Sequence, residues 1–219
     1  MKITKFLHSC VLVEDNGSKV LIDPGAFSFE PGKVEAKDVK GISAIFITHA
    51  HTDHLDVEVI KVLLNNNPEC NIFANADSGK LLEQAGIAYE LFNQGDREVA
   101  GFKVTAFSAP HQPIFDFPMP ENTAFLLNEK FLHPGDSYAD SVFEYKPEIL
   151  ALAVAGPWMN MNQGFDFSQK CSARKVIPIH DGHIKEFFSA NMYNMWEKVL
   201  GAQGVQFEKL LKPGDSVEV

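Results

Sequence analysis

The sequence has few cysteines, fewer basic than acidic residues and no long apolar run, and each shortage excludes a class of protein. The three cysteines, Cys10, Cys70 and Cys171, are an odd number without zinc-ribbon spacing. A disulfide framework is therefore not expected, and each thiol is expected to act as a small buried hydrophobe. This cysteine usage favours a reducing compartment.

The charge balance argues against nucleic acid as a partner. Lysine and arginine together number 19 against 29 aspartates and glutamates, which gives a net charge of −10. Broad nucleic-acid binding needs a basic surface, so none is expected. A small anionic substrate is not excluded, because bound dications can make one pocket locally positive.

The apolar segments are too short to cross a membrane, and Met1–His8 lacks the apolar core and cleavage site of a signal peptide. We therefore expect a cytoplasmic protein without a membrane partner. No linker or composition break divides residues 1–219, so one domain is expected.

Periodicity and turn signals predict many short strands with single helices between them, which is typical of two packed sheets flanked by helices. The predicted strands are 3–7, 10–14, 19–23, 42–47, 71–74, 99–109 with a glycine turn, 123–127, 130–133, 149–155, 175–179, 205–210 and 217–219. The predicted helices are 57–64, 78–85 and 185–200.

The densest chemical signal is Thr-His-Ala-His-Thr-Asp-His-Leu at 48–55, which contains His49, His51, Asp53 and His54. Imidazole and carboxylate groups suit zinc and similar metals. The segment lies between a predicted buried strand and a helix that opens near Asp56. A helix start needs one capping side chain rather than four metal ligands, so the pattern predicts a metalloenzyme with two metal sites.

Three later ligand-type residues each follow an apolar strand: His111 after 104–109, Asp136 after 131–133 and His180 after 176–179. Strand ends that meet at one sheet edge can build a common cleft. His183 competes with His180, but His180 directly ends its strand, which leaves His183 for contact with the substrate or with a ligand.

Other ligand-type residues have plainer explanations. The tetrad Pro-Gly-Asp-Ser occurs at 134–137 and again at 213–216, where Asp215 is expected to be only a turn residue. His133 is expected to be a strand residue. Asp23 and His8 either orient ligand imidazoles or serve as a turn cap and a satisfied core histidine.

The motif His-x-His-x-Asp-His at 49–54, followed by His111, Asp136 and His180, resembles the metallo-β-lactamase superfamily. Leu21-Ile22-Asp23-Pro24, His8-Ser9 and Val176–His180 resemble its compact branch that includes ascorbate-6-phosphate lactonase. The superfamily resemblance covers nearly the whole chain and implies an α/β fold, a four-layer αββα sandwich.

The resemblance also implies the ligand sets. One metal would be held by His49, His51 and His111, the other by Asp53, His54 and His180, and Asp136 would bridge both. Asp53 could in addition orient the nucleophile or carry a proton to the leaving group. Zinc is favoured for the two divalent ions, although manganese or iron would fit a mixed histidine and aspartate site.

The implied activity is hydrolysis, in which a metal-bound hydroxide attacks a small ester, lactone or phosphoester. A nuclease or phosphodiesterase of the same superfamily and a non-catalytic metal-binding scaffold are the alternatives. The loops 112–122 and 156–167, the second with Trp158, Met159 and Met161, are expected to form substrate walls, ordinary packing or a homo-oligomer contact.

Overall fold

The computed structural model describes residues 1–219. The strands are β1 (Lys2–Lys5), β2 (Val11–Asp15), β3 (Ser18–Ile22), β4 (Ala44–Ile47), β5 (Asn71–Ala74), β6 (Glu90–Leu91), β7 (Gly95–Val99), β8 (Phe102–Ser108), β9 (Thr123–Leu127), β10 (Phe131–His133), β11 (Ile149–Ala153), β12 (Lys175–Ile179), β13 (Gln206–Phe207) and β14 (Ser216–Glu218). The α-helices are α1 (Val57–Asn66), α2 (Ala76–Gln84), α3 (Met161–Cys171) and α4 (Glu186–Gly201), and 3₁₀ turns cover Ala36–Asp38 and Asp140–Glu144.

The strands form two seven-stranded sheets with related layouts. The first has the order β14-β1-β2-β3-β4-β5-β6, antiparallel as far as β3 and parallel from β3 to β6. The second has the order β13-β12-β11-β10-β9-β8-β7, antiparallel from β7 to β10 and parallel from β10 to β13. In each sheet the parallel strands end at a common edge, which is where loops can gather functional side chains.

The two sheets pack face to face, with helices on both outer surfaces. In β4, Ala44 and Phe46 belong to the core between the sheets, whereas Ile45 and Ile47 pack with α1 and α2. The outer face of the second sheet packs in the same way against α3 and α4. This alternation is the period-two pattern of a strand buried on both faces, and it confirms the four-layer αββα sandwich.

Local sequence explains the turn between β2 and β3, before the histidine-rich segment, and the start of α1 after it. Asn16 and Gly17 have φ angles of 49° and 83°, the left-handed pair that a two-residue hairpin between β2 and β3 requires. Asp56 caps α1 by accepting the backbone N–H groups of Glu58 and Val59. The histidine-rich segment is therefore held between a buried strand and a capped helix, as expected.

The expectation that 156–167 is a loop is wrong from residue 161 onward, because Met161 begins α3. The Asn160 side chain caps this helix by accepting backbone N–H groups. Its buried face consists of Gly164, Phe167, Ser168 and Cys171. Two of these four residues are too small or too polar to register as apolar, so the 3.6-residue period is not visible in the sequence.

The three cysteines are buried and unpaired, which confirms the packing role expected of them. None of the helices combines the length and the apolar character needed to cross a membrane. That the chain forms one domain stays a prediction, which the core shared by the two sheets supports.

Candidate metal centre

The structure gathers the seven expected ligands at the edge where strands of both sheets end. The segment 48–54 follows β4, His111 follows β8, Asp136 follows β10 and His180 follows β12. Their potential ligand atoms, together with one from His8, form two clusters in which the atoms lie within 4.8 Å of one another.

The first cluster contains His49, His51, His111 and Asp136. His49 Nε2 and His51 Nδ1 are 3.1 Å apart, a separation that two nitrogens bound to one ion would also show. The backbone carbonyl of Gln112 lies 2.5 Å from His111 Nδ1, so that nitrogen is engaged and Nε2 faces the centre. Burial lowers the pKa of His49 far below its usual value, which keeps its ring neutral and its lone pair available.

The second cluster contains His8, Asp53, His54 and His180. Burial opposes ionisation of Asp53, but the hydrogen bond from His8 and the neighbouring imidazoles outweigh it and hold the pKa well below its usual range. Three members of this cluster are the expected ligands of one site. His8 is the additional member.

Asp136 lies between the two clusters and contacts histidines of both. Its Oδ2 is 2.8 Å from His180 Nε2 and 3.4 Å from His111 Nε2, and its Oδ1 is 3.1 Å from His54 Nε2. Burial acts to raise the pKa of Asp136, but the imidazoles, His180 first, lower it well below the usual value. The ionised carboxylate therefore lies within 4 Å of imidazole nitrogens from both clusters.

Asp23, at the end of β3, fixes one ligand from behind. Its Oδ2 accepts a hydrogen bond from His54 Nδ1 at 2.7 Å, and its two oxygens accept the Thr48 backbone N–H at 2.7 Å and hydroxyl at 2.6 Å. All three residues are fully buried. Because Nδ1 of His54 donates this hydrogen, Nε2 is the ring nitrogen that faces the centre, which is how carboxylates orient metal-binding histidines.

The donors fit divalent cations. His54 Nε2, His111 Nε2 and Asp136 Oδ1 are buried, and although they lie near one another, none of them makes a hydrogen bond of acceptable geometry. Buried polar atoms without partners are rare because each costs free energy. Here the unpartnered nitrogens face an anionic carboxylate, and imidazole with carboxylate is a ligand set that zinc, manganese and iron accept.

Two further residues support the centre but carry no motif that would reveal them. Trp158 donates its indole N–H to Asp136 Oδ2 at 3.0 Å, so of the roles expected for its loop this residue shows packing, directly against the central carboxylate. Asn122 donates to the carbonyls of Ala109 and Pro134 at 2.6 and 2.9 Å. It thereby ties together the loops that carry His111 and Asp136.

Close backbone approach also shapes the centre. A Cβ atom on Gly25 would lie 2.0 Å from the carbonyl atoms of Asp53, so only glycine lets the loop after β3 pack on the ligand loop. Gly135 has a φ of 62°, and a Cβ there would lie 2.2 Å from the Asn122 side chain. This explains the glycine of the first Pro-Gly-Asp-Ser tetrad.

Three site residues adopt the left-handed backbone conformation without being glycine: His8, Asp23 and His180, with φ angles of 56°, 52° and 64°. Such conformations cost on the order of 1–3 kcal/mol each and concentrate at functional sites. The backbone N–H of His180 donates to the carbonyl of His8 at 3.2 Å, which links two of the three.

The remaining candidates lie outside the clusters. His183 is exposed, with its ring centroid 5.6 Å from that of His180. Asp215 accepts the backbone N–H of Lys212 in an exposed turn, and His133 lies on β10 with Nε2 3.0 Å from the Ser9 carbonyl, as expected of both. The loop 112–122 has no regular structure, and its Phe115 is 87% exposed, so its substrate role stays a prediction.

Comparison with known proteins agrees with this fold and site. A family model described as the β-lactamase superfamily domain matches residues 2–180. This span contains every expected ligand. Protein Rv0786c of Mycobacterium tuberculosis is 32% identical, over 82% of this chain and 84% of its own. The UPF0173 metal-dependent hydrolase MJ1163 of Methanocaldococcus jannaschii is 27% identical, over 81% of this chain and 83% of its own.

A solved structure gives the same fold. Igni18, described as a novel metallo hydrolase from Ignicoccus hospitalis, superimposes with a TM-score of 0.75 at 22% identity, over 99% of this chain and 97% of its own. The fold, the two clusters of histidine and aspartate side chains and these relatives place the chain in the class of metal-dependent hydrolases. The chain belongs to the metallo-β-lactamase superfamily, which confirms the resemblance seen in its motifs.

Proposed function

We propose that this protein is a dinuclear metal hydrolase acting on a small ester, lactone or phosphoester. His49, His51 and His111 hold one cation, Asp53, His54 and His180 hold the other, and Asp136 bridges them. The observation that carries the proposal is the position of Asp136, within 4 Å of imidazole nitrogens from both ligand sets.

Two divalent cations bound in this way would acidify a shared water and polarise the substrate oxygen. The residues of the chain supply the geometry. Asp23 holds the His54 ring, while Trp158 and Asn122 hold Asp136 through its side chain and its backbone N–H respectively. Asp53 is held ionised and remains partly exposed, so its carboxylate can orient the nucleophile or relay a proton.

Zinc is the proposed metal because a mixed histidine and aspartate set suits it, with manganese and iron as alternatives. The likeness of Leu21–Pro24 and Val176–His180 to the lactonase-containing branch supports a small cyclic or phosphorylated ester as substrate. The acidic net charge favours such a molecule over RNA. A cytoplasmic location and a homo-oligomer stay predictions.

Metal analysis followed by a hydrolase screen tests the proposal. Purified protein should contain or bind two equivalents of zinc per chain, and a screen of esters, lactones, phosphomonoesters and phosphodiesters should find turnover that a chelator abolishes. A single equivalent would contradict the dinuclear centre. Two bound equivalents without turnover on any of these classes would favour the non-catalytic scaffold.

Metal binding should change the fluorescence of Trp158, because its indole contacts Asp136 and lies 5.4 Å from the His180 ring. The chain has one other tryptophan, Trp196, which is buried among the residues that pack α4 on the second sheet. Zinc titration of the metal-free protein should therefore give a signal that Trp196→Phe retains and Trp158→Phe loses. A signal that follows Trp196 would contradict the assigned position of the metals.

His183 is proposed to contact the substrate and to exchange a proton with it, because it is exposed beside His180 and is not a member of either cluster. Changing His183→Gln should lower kcat by about 10²–10⁴-fold, the usual contribution of a general acid or base. Zinc stoichiometry should stay at two. Unchanged turnover would limit His183 to a surface position.

A further inference from the structure

His8 is the one member of the two clusters that the ligand sets leave without a role. It lies in the tight turn between β1 and β2, is completely buried and has a left-handed φ of 56°. Its ring makes two hydrogen bonds and its carbonyl a third. Each bond reaches a residue of the candidate metal centre or of the loop that follows it.

The hydrogen bonds determine which nitrogen of His8 carries the hydrogen. The backbone N–H of Gly182 can only donate, and it lies 3.1 Å from His8 Nδ1, so Nδ1 is the acceptor. In the neutral ring the hydrogen is then on Nε2, which lies 2.9 Å from Asp53 Oδ2. His8 therefore donates to Asp53, and its Nε2 has no lone pair to offer a metal.

Gly182 packs so closely against His8 that a side chain at position 182 would collide with it. A Cβ atom at position 182 would lie 2.9 Å from His8 Cβ and 3.3 Å from its backbone nitrogen. The carbonyl of His8 also accepts the backbone N–H of His180. His8 thus joins the aspartate of a loop from the first sheet to the histidine-bearing loop of the second sheet.

We propose that His8 is a positioning residue that pre-forms the second metal site by fixing Asp53 and the loop 180–182 in one arrangement. The inference rests on the proposed dinuclear centre. Side chains that orient metal ligands typically contribute about 10–100-fold in metal affinity. We expect this effect at the site of Asp53, His54 and His180, and none at the site of His49, His51 and His111.

Two substitutions separate the functions of the ring. In His8→Gln the amide nitrogen can take the place of Nε2 and still donate to Asp53. In His8→Asn the shorter side chain can accept from Gly182 and tolerates a left-handed backbone, but it does not reach Asp53. Calorimetric titration of the metal-free variants with zinc measures the two sites separately and requires no substrate.

The expected result is a selective change. His8→Asn should weaken one of the two zinc sites about 10–100-fold and leave the other unchanged, and His8→Gln should recover most of the loss. Asn67→Ala is the matched control, because Asn67 is buried and bonds the backbone of Val39 and Leu63 far from the ligands. It should lower the melting temperature without changing either zinc affinity.

The possible results distinguish the two proposals. One zinc site in the unmodified protein would overturn the dinuclear centre itself. Two sites with unchanged affinities in His8→Asn would overturn only the role of His8. Equal weakening of both sites would assign His8 to general stability, and a His8→Gln variant as weak as His8→Asn would show that the ring is a direct ligand; either result overturns the proposal.

Discussion

Replacing Asp136 with alanine should abolish hydrolysis and the binding of at least one zinc ion. The side chain contacts imidazoles of both clusters and accepts the indole N–H of Trp158. Asp53 approaches only histidines of the second cluster, so it does not reach the histidines of both clusters as Asp136 does. Metal ions contribute several kcal/mol of transition-state stabilisation, which corresponds to at least about 10³-fold in rate. Zinc content by elemental analysis and turnover on the substrate found in the screen measure the two effects.

Asp136→Asn separates charge from shape. The amide keeps the size of the side chain and one oxygen that can accept from Trp158, but it removes the negative charge that two cations would share. We expect it to lose nearly as much activity as alanine. Near-normal zinc content and turnover in Asp136→Asn would mean that the carboxylate does not bridge.

The chain supplies a matched control in its second Pro-Gly-Asp-Ser tetrad. Asp215 has the same sequence neighbours as Asp136, but its carboxylate accepts the Lys212 backbone N–H in an exposed turn. Asp215→Ala should leave zinc content and turnover unchanged. The pair tests whether the position at the end of β10, rather than the local motif, gives the aspartate its role.

The positions of the ligands could be predicted because they depend on where strands end. Short apolar runs bounded by turn signals locate β4, β5, β9 and β12 within about two residues, and the residue after each run then falls at the sheet edge. The sequence favours His180 over His183 on this ground, and the structure places His180 in one of the two clusters. For these positions the local sequence is sufficient to predict which residue lies at the sheet edge.

The partners in the supporting contacts could not be predicted, because each contact joins residues distant in sequence. His8 meets Asp53 across 45 positions and Gly182 across 174, and Trp158 meets Asp136 across 22. No motif or period encodes such a pair before the two sheets are packed. The helix α3 was hidden for a different reason, since Gly164 and Ser168 occupy half of its buried face.

Asp23→Ala should be the most destabilising single change near the centre. It leaves the Thr48 backbone N–H, the Thr48 hydroxyl and His54 Nδ1 buried without their acceptor. Removing one partner from a buried, hydrogen-bonded charged group costs about 3–5 kcal/mol. Urea unfolding of the metal-free protein measures this loss. Asp56→Ala is the comparison, because the loss of a helix cap costs only about 1 kcal/mol.

The same substitution should also weaken metal binding, because Asp23 sets the orientation of the His54 ring. Asp23→Asn isolates this effect: asparagine tolerates the left-handed φ of 52°, but its single amide oxygen cannot replace the two carboxylate oxygens that together accept from the Thr48 backbone N–H, the Thr48 hydroxyl and His54 Nδ1. We expect the zinc site of His54 to weaken about 10–100-fold in this variant. If Asp23→Asn loses stability but keeps both zinc affinities, Asp23 supports the fold of the loop rather than the orientation of the ligand.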